Sequence, residues 1–327
     1  MRQRLQQALP DAWYRGAPWL CLLWPLEWTF RAASFTRRYA FRRGLRRSYR
    51  APVPVVVIGN ITLGGTGKTE VVIALVQALR ERGIVAGVVS RGHGAASSPA
   101  PHWVGPHSTA RECGDEPLLI QRRGGCPCVV AGNRAAAVQA LLRRAHVDIV
   151  LSDDGLQHYS LGRDLEVVLY DAQAAFGNGH CLPAGPLREP LSRLAQADFV
   201  LSRGGAGDDA DVRYLPEALI HLQRDERVEV SPQAIGREVY AVAGLGRPAL
   251  FIDMLERAGF AVTPRLFPDH HRFRAADFAG LRDRPVIMTQ KDAVKCTALV
   301  GDNAWFLRVS AQLPARLVDA VAHLARP

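Results

Sequence analysis

Residues 55–69 read Val55-Val-Val-Ile-Gly-Asn-Ile-Thr-Leu-Gly-Gly-Thr-Gly-Lys-Thr69, and this stretch decides the fold. Its β-branched start predicts a buried strand, its glycines a tight turn, and a helical pattern begins at Thr69. This order is typical of a phosphate-binding loop, because the turn's N–H groups and the helix dipole both face the anion. Lys68 is expected to reach the β- and γ-phosphates of a nucleotide, and the Thr69 hydroxyl to bind Mg²⁺.

The predicted ATP-binding residues are Gly64, Gly65, Thr66, Gly67, Lys68 and Thr69. The usual pattern has a glycine five residues before Gly67, where this chain has Thr62, so the loop is a variant form. Only three of the 41 basic residues are lysines, namely Lys68, Lys291 and Lys295. In a chain so rich in arginine, a lysine inside a glycine-rich turn favours a phosphate-binding role.

Beyond the loop, short apolar runs alternate with helical stretches. Continuous Val/Ile/Leu runs predict strands that are covered on both faces, which is typical of a parallel sheet wrapped by helices. We therefore predict an α/β protein with a P-loop parallel-sheet domain over 51–222. Residues 94–112 lack periodicity and are predicted to form a mobile loop. The predicted strands are Val53–Ile58, Val85–Val89, Cys126–Ala131, Val147–Leu151, Glu166–Tyr170 and Phe199–Ser202.

A second alternation follows a weak pattern around 215–235. It predicts a smaller C-terminal α/β domain over 223–327, with strands Val239–Ala243 and Val286–Thr289. Gly244-Leu-Gly246 after the first of these strands loosely resembles a dinucleotide fingerprint. A tight strand-to-helix turn is the preferred interpretation, because the nearest downstream acid belongs to a histidine cluster.

The positive charge of the chain is concentrated at its N-terminus. The net charge is +10, but residues 1–50 hold eleven arginines and only two acids, so this segment alone carries +9. The remainder is nearly neutral, which argues against nucleic acid as a partner. The six cysteines lack the spacing of a zinc site, and no export signal precedes them, which favours reduced thiols in the cytoplasm.

Within 1–50, an apolar run from Trp19 to Leu26 precedes an arginine cluster that is interleaved with aromatic residues. The run is far shorter than the roughly 20 residues of a spanning helix, and Pro25 interrupts it. An amphipathic helix at an anionic membrane surface fits this pattern. The alternatives are a helix docked on the core with a solvated arginine face, and a nucleic-acid-binding arm.

Two carboxylates, Asp153 and Asp154, end an apolar strand, and His158 follows four residues later. At the carboxyl end of a strand beside a phosphate loop, Asp153 is expected to position Mg²⁺. An Asp-Gly turn that simply closes the strand is an equally good interpretation of the pattern alone.

Three further motifs are weaker. Asp115 and Glu116 precede a helix, where either a first-turn role or a general base for an acceptor hydroxyl is plausible. Arg188 and Glu189 lie between prolines in a segment that is either a shaped binding loop or a connector. Asp269-His270-His271 can be a solvated loop.

Together these residues resemble the tetraacyldisaccharide 4'-kinase family, the lipid A 4'-kinases of Gram-negative bacteria. Asp-Asp-Gly-x-Gln-His combined with Ala-Gly-Pro-Leu-Arg-Glu is the most specific part of the resemblance. The segments that carry it are Gly59–Thr69, Ser90–Gly94, Gly114–Pro117, Asp153–His158, Ala184–Glu189, Asp269-His270 and Lys291–Lys295. Departures from the family pattern are His93 for Tyr, Leu156 for Phe and Gln290 for Glu.

The resemblance implies transfer of the ATP γ-phosphoryl group to the 4'-hydroxyl of a tetraacyldisaccharide 1-phosphate, which gives lipid IVA. It implies Asp115 as the catalytic base and His270 as its partner from the second domain. Asp154, His158, Arg188 and Glu189 are implied as substrate- or metal-handling residues. The expected location is the cytoplasmic face of the inner membrane, as a peripheral or monotopic protein.

The main alternative is a nucleotide-dependent switch or partition-type ATPase at the membrane surface. Such proteins share the Gly-Gly-x-Gly-Lys-Thr loop, but they often carry a lysine just before its first glycine, where this chain has Leu63. A non-catalytic membrane-binding module would leave the loop and the two aspartates unexplained.

Overall fold

The computed structural model describes residues 2–65, 67–92, 100–205, 209–246, 248–268 and 271–326, with the backbone alone over 2–8. Its central feature is the predicted strand, turn and helix. Strand β1 (Val55–Gly59) is completely buried, and helix α3 (Lys68–Glu81) follows the glycine-rich turn. Because α3 buries one apolar side against the sheet, the turn is held at the carboxyl end of β1.

The remaining elements alternate along the chain. The helices are α1 (Arg2–Arg15), α2 (Trp24–Arg42), α4 (Ala110–Cys113), α5 (Asp115–Gly124), α6 (Arg134–Arg144), α7 (Pro232–Ile235), α8 (Ala249–Arg257), α9 (Gln290–Cys296) and α10 (Ala315–Ala325). The strands are β2 (Ala86–Ser90), β3 (His102–Trp103), β4 (Cys128–Val130), β5 (Ile149–Asp153), β6 (Leu165–Asp171), β7 (Phe199–Gly205), β8 (Val212–His221), β9 (Arg227–Val228), β10 (Glu238–Ala243), β11 (Ala261–Leu266), β12 (Val286–Thr289) and β13 (Ala304–Gln312). Short 3₁₀ helices cover Pro18–Leu23, Leu191–Gln196 and Ala275–Phe278.

The strands form one continuous sheet in the order β11-β10-β12-β13-β8-β7-β6-β1-β5-β2-β4-β3, with β9 paired to β8. Strand β1 pairs in parallel with both of its neighbours, β5 and β6. The predicted parallel sheet covered by helices is therefore confirmed. Parallel strands bring their carboxyl ends to one edge, where β1 and β5 deliver the turn and the aspartates.

The C-terminal strands join this sheet through an antiparallel pair, β13 with β8. Helix α10 packs back on α3, and Leu317 and Val321 share a hydrophobic cluster with Val72 and Val76. The region around 215–235, where the sequence pattern is weak, contains the end of β8 at His221 and the short elements β9 and α7. The division into 51–222 and 223–327 stays a prediction.

The N-terminal segment packs one side on the protein and exposes the other. Trp13 and Leu20 are buried, and Glu27 on α2 is only 4% exposed. In contrast, Trp19, Leu22, Leu26 and other large apolar side chains of this segment face outward. In the part of the chain that the structure describes, no helix is both long and apolar enough to cross a bilayer.

The loop predicted over 94–112 is only partly irregular. Its described part contains β3, which pairs antiparallel with β4, and the short helix α4. A capping box between Thr109 and Glu112 begins α4, and this signal was missed in the sequence. Residues 93–99, which include His93, lie outside the described part.

Candidate active site

The phosphate-binding loop lies between β1 and α3, as predicted. Gly67 precedes α3 with φ +68°, and Gly64 has φ +103°, both in the region that favours glycine. A side chain on Gly67 would also meet the ring of Tyr214, whose hydroxyl donates to the Gly67 carbonyl. Thr69 lies in the first turn of α3. Thr66, the remaining predicted member of the loop, lies outside the described residues.

The ammonium group of Lys68 is held beside this loop by two side chains. Its Nζ lies 3.1 Å from Asn60 Oδ1 and 3.4 Å from Asp154 Oδ1. The buried Asn60 is fixed in turn, because its Nδ2 donates to the carbonyl of Thr62 at 2.9 Å. These contacts leave the ammonium directed at the cleft, where a nucleotide phosphate is expected.

Asp153 and Asp154 lie where predicted, at the carboxyl end of β5, but their environments differ. Burial raises the pKa of Asp153 to about 7, and the nearby Glu116 carboxylate adds to this rise. Asp154 is half-buried, and Lys68 and Arg188 hold its pKa below the usual range. Asp154 therefore remains a carboxylate. Ionisation of the buried Asp153, in contrast, destabilises the folded protein unless a bound cation offsets the charge.

The surroundings of Asp153 fit a magnesium ion. Its Oδ2 accepts a hydrogen bond from Ser90 Oγ at 3.1 Å, while Oδ1 is buried without a hydrogen-bond partner among the described residues. An orphaned carboxylate oxygen beside a phosphate loop is a suitable magnesium ligand. The described residues contain no cluster of three or more acidic, histidine or cysteine ligands. Mg²⁺ typically uses one or two carboxylates together with substrate phosphates and water.

Arg188 reaches the cleft from the segment Ala184–Glu189. This segment is hydrogen-bonded to the entry of the phosphate loop: Leu63 N donates to the Pro186 carbonyl and Arg188 N to the Ile61 carbonyl. Arg188 Nη1 then lies 3.1 Å from Asp154 Oδ2. The segment therefore borders the cleft beside the phosphate loop.

Glu189 points into the protein instead. It is 4% exposed, and its carboxylate accepts hydrogen bonds from Gln157 Nε2 and Tyr159 Oη. Arg193 Nε also lies 3.3 Å away from it. Every one of these contacts is with the protein, which indicates that Glu189 fixes the loops around the site.

Next to this network, a cavity of about 250 Å³ lies beneath α2. Its lining includes four arginines, Arg38, Arg42, Arg163 and Arg193, and one carboxylate, Glu166, which pairs with Arg163 and Arg193. Arg193 is 3% exposed and bonds Glu166 through Nη2, and its Nη1 has no hydrogen-bond partner among the described residues. A cavity of this kind suits an anion.

His158 follows β5 in the chain and is half-buried. Burial lowers its pKa to about 4, and the positive charges of Arg134 and Arg91 contribute. The imidazole is therefore neutral at physiological pH, so it can accept or donate a hydrogen bond but brings no charge.

The three lysines of the chain meet carboxylates around the same cleft. Besides Lys68 with Asp154, Lys291 Nζ lies 3.0 Å from Glu116 Oε1, and Lys295 Nζ lies 3.5 Å from Asp115 Oδ2. Asp115 and Glu116 begin α5, whereas both partner lysines belong to α9. His270, predicted as the partner of Asp115, lies outside the described residues.

A cavity of about 160 Å³ extends from the phosphate loop towards α8 and β13. Apolar side chains form much of its lining, among them Leu119, Leu250, Phe251 and Met254. The lining thus comes from both halves of the chain, and it adjoins Lys68 and Thr69. Such an apolar cavity with a polar end is typical of a small-molecule site.

This geometry agrees with the comparisons to known proteins. The family model for tetraacyldisaccharide-1-P 4'-kinase matches residues 19–326. The chain belongs to this family. Relatives include the tetraacyldisaccharide 4'-kinases of Azotobacter vinelandii, 48% identical over 94% of this chain and 93% of the relative, and of Pseudomonas aeruginosa, 48% identical over 93% of each. The crystal structure of LpxK from Aquifex aeolicus in complex with ATP is 26% identical, with a TM-score of 0.76 over 94% of this chain and 99% of that one.

Membership in the 4'-kinase family confirms ATP-dependent phosphoryl transfer as the class of chemistry, with ATP and Mg²⁺ as cofactors. Individual residue roles remain predictions. Of the motifs that the sequence singled out, the phosphate loop, the Asp154–Arg188 pair and the Glu116–Lys291 pair adjoin one cleft among the described residues, with Glu189 set behind it. Sequence reasoning missed Asn60 and Arg193 as supports, because both act through contacts between segments distant in the chain.

Proposed function

We propose that the chain transfers the γ-phosphoryl group of ATP to the 4'-hydroxyl of a tetraacyldisaccharide 1-phosphate, giving lipid IVA. The observation that carries this proposal is the convergence of Lys68, the carboxylates of β5 and Asp115 on one cleft in a chain of the 4'-kinase family. Kinases accelerate this chemistry by positioning the reactants and stabilising charge, which such a cleft provides.

On the nucleotide side, Lys68 and the loop glycines bind the phosphates, and Thr69 and Asp153 hold Mg²⁺. The metal ion would neutralise charge that develops on the phosphates. The apolar cavity next to the loop accommodates the nucleoside. Asp154 holds Lys68 and Arg188 together, and Arg188 is thereby placed to stabilise the transferring group.

On the acceptor side, Asp115 accepts the proton of the 4'-hydroxyl, with His270 as its supporting partner. Asp115 is 6% exposed and lies opposite α9, so both halves of the chain contribute to its surroundings. Approach of the two halves would then complete the site only around a bound acceptor, which limits ATP hydrolysis by water.

Transfer of labelled phosphate from ATP to the disaccharide lipid tests this function. We expect a labelled lipid product, and an Asp115→Asn variant that loses about 10²-fold or more in kcat while it keeps its affinity for ATP. ATP hydrolysis without lipid transfer would instead support the switch-type ATPase, which family membership does not favour. Equal hydrolysis with and without acceptor would contradict the proposed gating.

We infer that the N-terminal segment binds an anionic membrane surface, at the cytoplasmic face of the inner membrane. Supporting this, Trp19, Leu22 and Trp28 are about half exposed or more, and eleven arginines surround them in sequence. Arg31 also stacks on the Trp28 ring. Each arginine near an anionic surface contributes about 1 kcal/mol, and the apolar side chains add to this by insertion.

Sedimentation with vesicles tests the membrane interaction. We expect binding to phosphatidylglycerol vesicles that falls with salt, and weaker binding to phosphatidylcholine. Leu22→Ser with Trp28→Ser should release the protein, and the exposed but distant Leu266→Ser is the control. Binding that is unchanged in the double variant would contradict the assignment.

The arginine-lined cavity beneath α2 suits the phosphate that the acceptor carries at position 1. It lies beside Tyr159 and behind the Glu189 network, on the side covered by the N-terminal segment. Arg38 and Arg42 of α2 would therefore bind the acceptor from the same helix that contacts the membrane.

A further inference from the structure

Lys295 occupies a fixed position between two carboxylates. Its Nζ lies 3.0 Å from Asp292 Oδ1 on its own helix and 3.5 Å from Asp115 Oδ2 on α5. Its side chain is 18% exposed. The ammonium also lies 5.6 Å from the centre of the Phe273 ring, within the range of a cation–π contact.

Asp292 is the anchor for this lysine. It is completely buried, and its Oδ2 accepts hydrogen bonds from Gly244 N at 2.9 Å and from Thr289 Oγ1 at 2.7 Å. These bonds fix the carboxylate to the ends of β10 and β12. Since Asp292 cannot turn away without breaking them, the lysine that it holds is fixed as well.

The two lysines of α9 pair one-to-one with the first two residues of α5. Positions 291 and 295 are four residues apart and share a side of the helix. Lys291 faces Glu116, and Lys295 faces Asp115. The ion pair of Lys295 therefore has its own target, and Glu116 does not compete for it.

We propose that Lys295 is a positioning residue, which holds the Asp115 carboxylate in the orientation that accepts the proton of the acceptor hydroxyl. This inference rests on the role of Asp115 given under the proposed function. A carboxylate with one oxygen paired to a fixed ammonium has fewer orientations. The second half of the chain thus supplies a cation directly to the base.

An interdomain ion pair could also serve folding alone, and a double-mutant cycle separates the two roles. The variants are Lys295→Met, Lys295→Arg, Asp115→Asn and the combination of Lys295→Met with Asp115→Asn. Single-turnover and steady-state phosphoryl transfer to the disaccharide lipid are measured at saturating Mg²⁺ and ATP. Arg284→Met is the matched control, because it removes an exposed ion pair with Glu238 in the same half of the chain.

We expect Lys295→Met to lower kcat by about 30-fold or more with the KM for ATP nearly unchanged, since it acts on the base and not on the nucleotide. Lys295→Arg should recover part of the rate, because a cation returns to the same place. In the Asp115→Asn background, Lys295→Met should cause no further loss. The melting temperature and rate of Arg284→Met should remain close to those of the parent chain.

Losses that multiply in the combined variant would overturn the inference, because Lys295 would then act independently of Asp115. A raised KM for ATP at unchanged kcat would overturn it too. If Asp115→Asn itself keeps full activity, the assignment of the base fails, and this result is distinct from a failure of Lys295 alone.

Discussion

Replacing Asp153 by asparagine should stabilise the metal-free protein in a pH-dependent manner while it abolishes activity. Burial raises the pKa of this carboxyl group from 3.8 to about 7. Between these two values the folded chain keeps a proton that the unfolded chain has lost. Stability therefore falls as pH rises through this window, and the full penalty remains above pH 7.

The penalty can be worked out from the two pKa values. It is about 2 kcal/mol at pH 5.5 and about 4 kcal/mol at pH 8, because stability changes by about 1.4 kcal/mol for each pH unit that lies between the two pKa values. The amide of Asp153→Asn also changes the hydrogen bond with Ser90 and leaves a donor to satisfy. That cost does not vary with pH, so the diagnostic quantity is the difference between the two pH values, about 2 kcal/mol.

Urea denaturation of both proteins with a chelator present is the assay. The gain in unfolding free energy of Asp153→Asn over the parent should be about 2 kcal/mol larger at pH 8 than at pH 5.5. Mg²⁺ with ATP should then stabilise the parent more than the variant, because only the parent offers the carboxylate. A gain that is equal at both pH values would refute the reasoning, since the buried carboxyl would not then titrate in this range.

Three other substitutions test separate parts of the site. Gly67→Ala should lose ATP binding in an equilibrium dialysis experiment, because the positive φ costs about 1 kcal/mol and the added methyl group meets Tyr214. Glu189→Gln should lower the unfolding free energy by about 2 kcal/mol in urea, because Tyr159 and Arg193 lose a charged partner; an unchanged value would remove its supporting role. Arg42→Ala should raise the KM for the disaccharide about tenfold with the KM for ATP unchanged, and both proteins should use an acceptor without its 1-phosphate equally; a higher KM of Arg42→Ala for that acceptor too would contradict the phosphate site.

The parts of the fold that the sequence predicted are those with strong local signals. The strand before the phosphate loop is a pure β-branched run, and its burial on both faces is what such a run predicts. β8 was missed because Pro216 and Glu217 interrupt its apolar pattern, and its neighbour β13 alternates only partly. Both strands are stabilised by their mutual antiparallel pairing, a long-range contact that no local pattern reports.

The sequence identified candidate site residues, but it did not show which partners their side chains contact. The rarity of lysine marked Lys291 and Lys295 as unusual, but their partners depend on how α9 meets α5. Likewise, Arg188 and Glu189 are neighbours in sequence, yet one reaches the cleft and the other turns inward. Both residues lie in a bend of the chain, where neighbouring side chains point to different sides, so a shared role could not be assumed from the sequence.

The N-terminal segment is tied to the loop that carries Arg188, which links the proposed membrane contact to the proposed chemistry. Glu27 of α2 accepts a hydrogen bond from Cys181 N at 2.9 Å and pairs with His180, while Trp13 donates to the Pro183 carbonyl at 3.0 Å. These residues lead directly into Ala184–Glu189. The N-terminal segment and the loop that reaches Asp154 are therefore connected by direct hydrogen bonds. A lipid acceptor held at the surface by its acyl chains needs to present only its sugar and phosphate groups to such a unit, and the arginine-lined cavity beneath α2 is consistent with this.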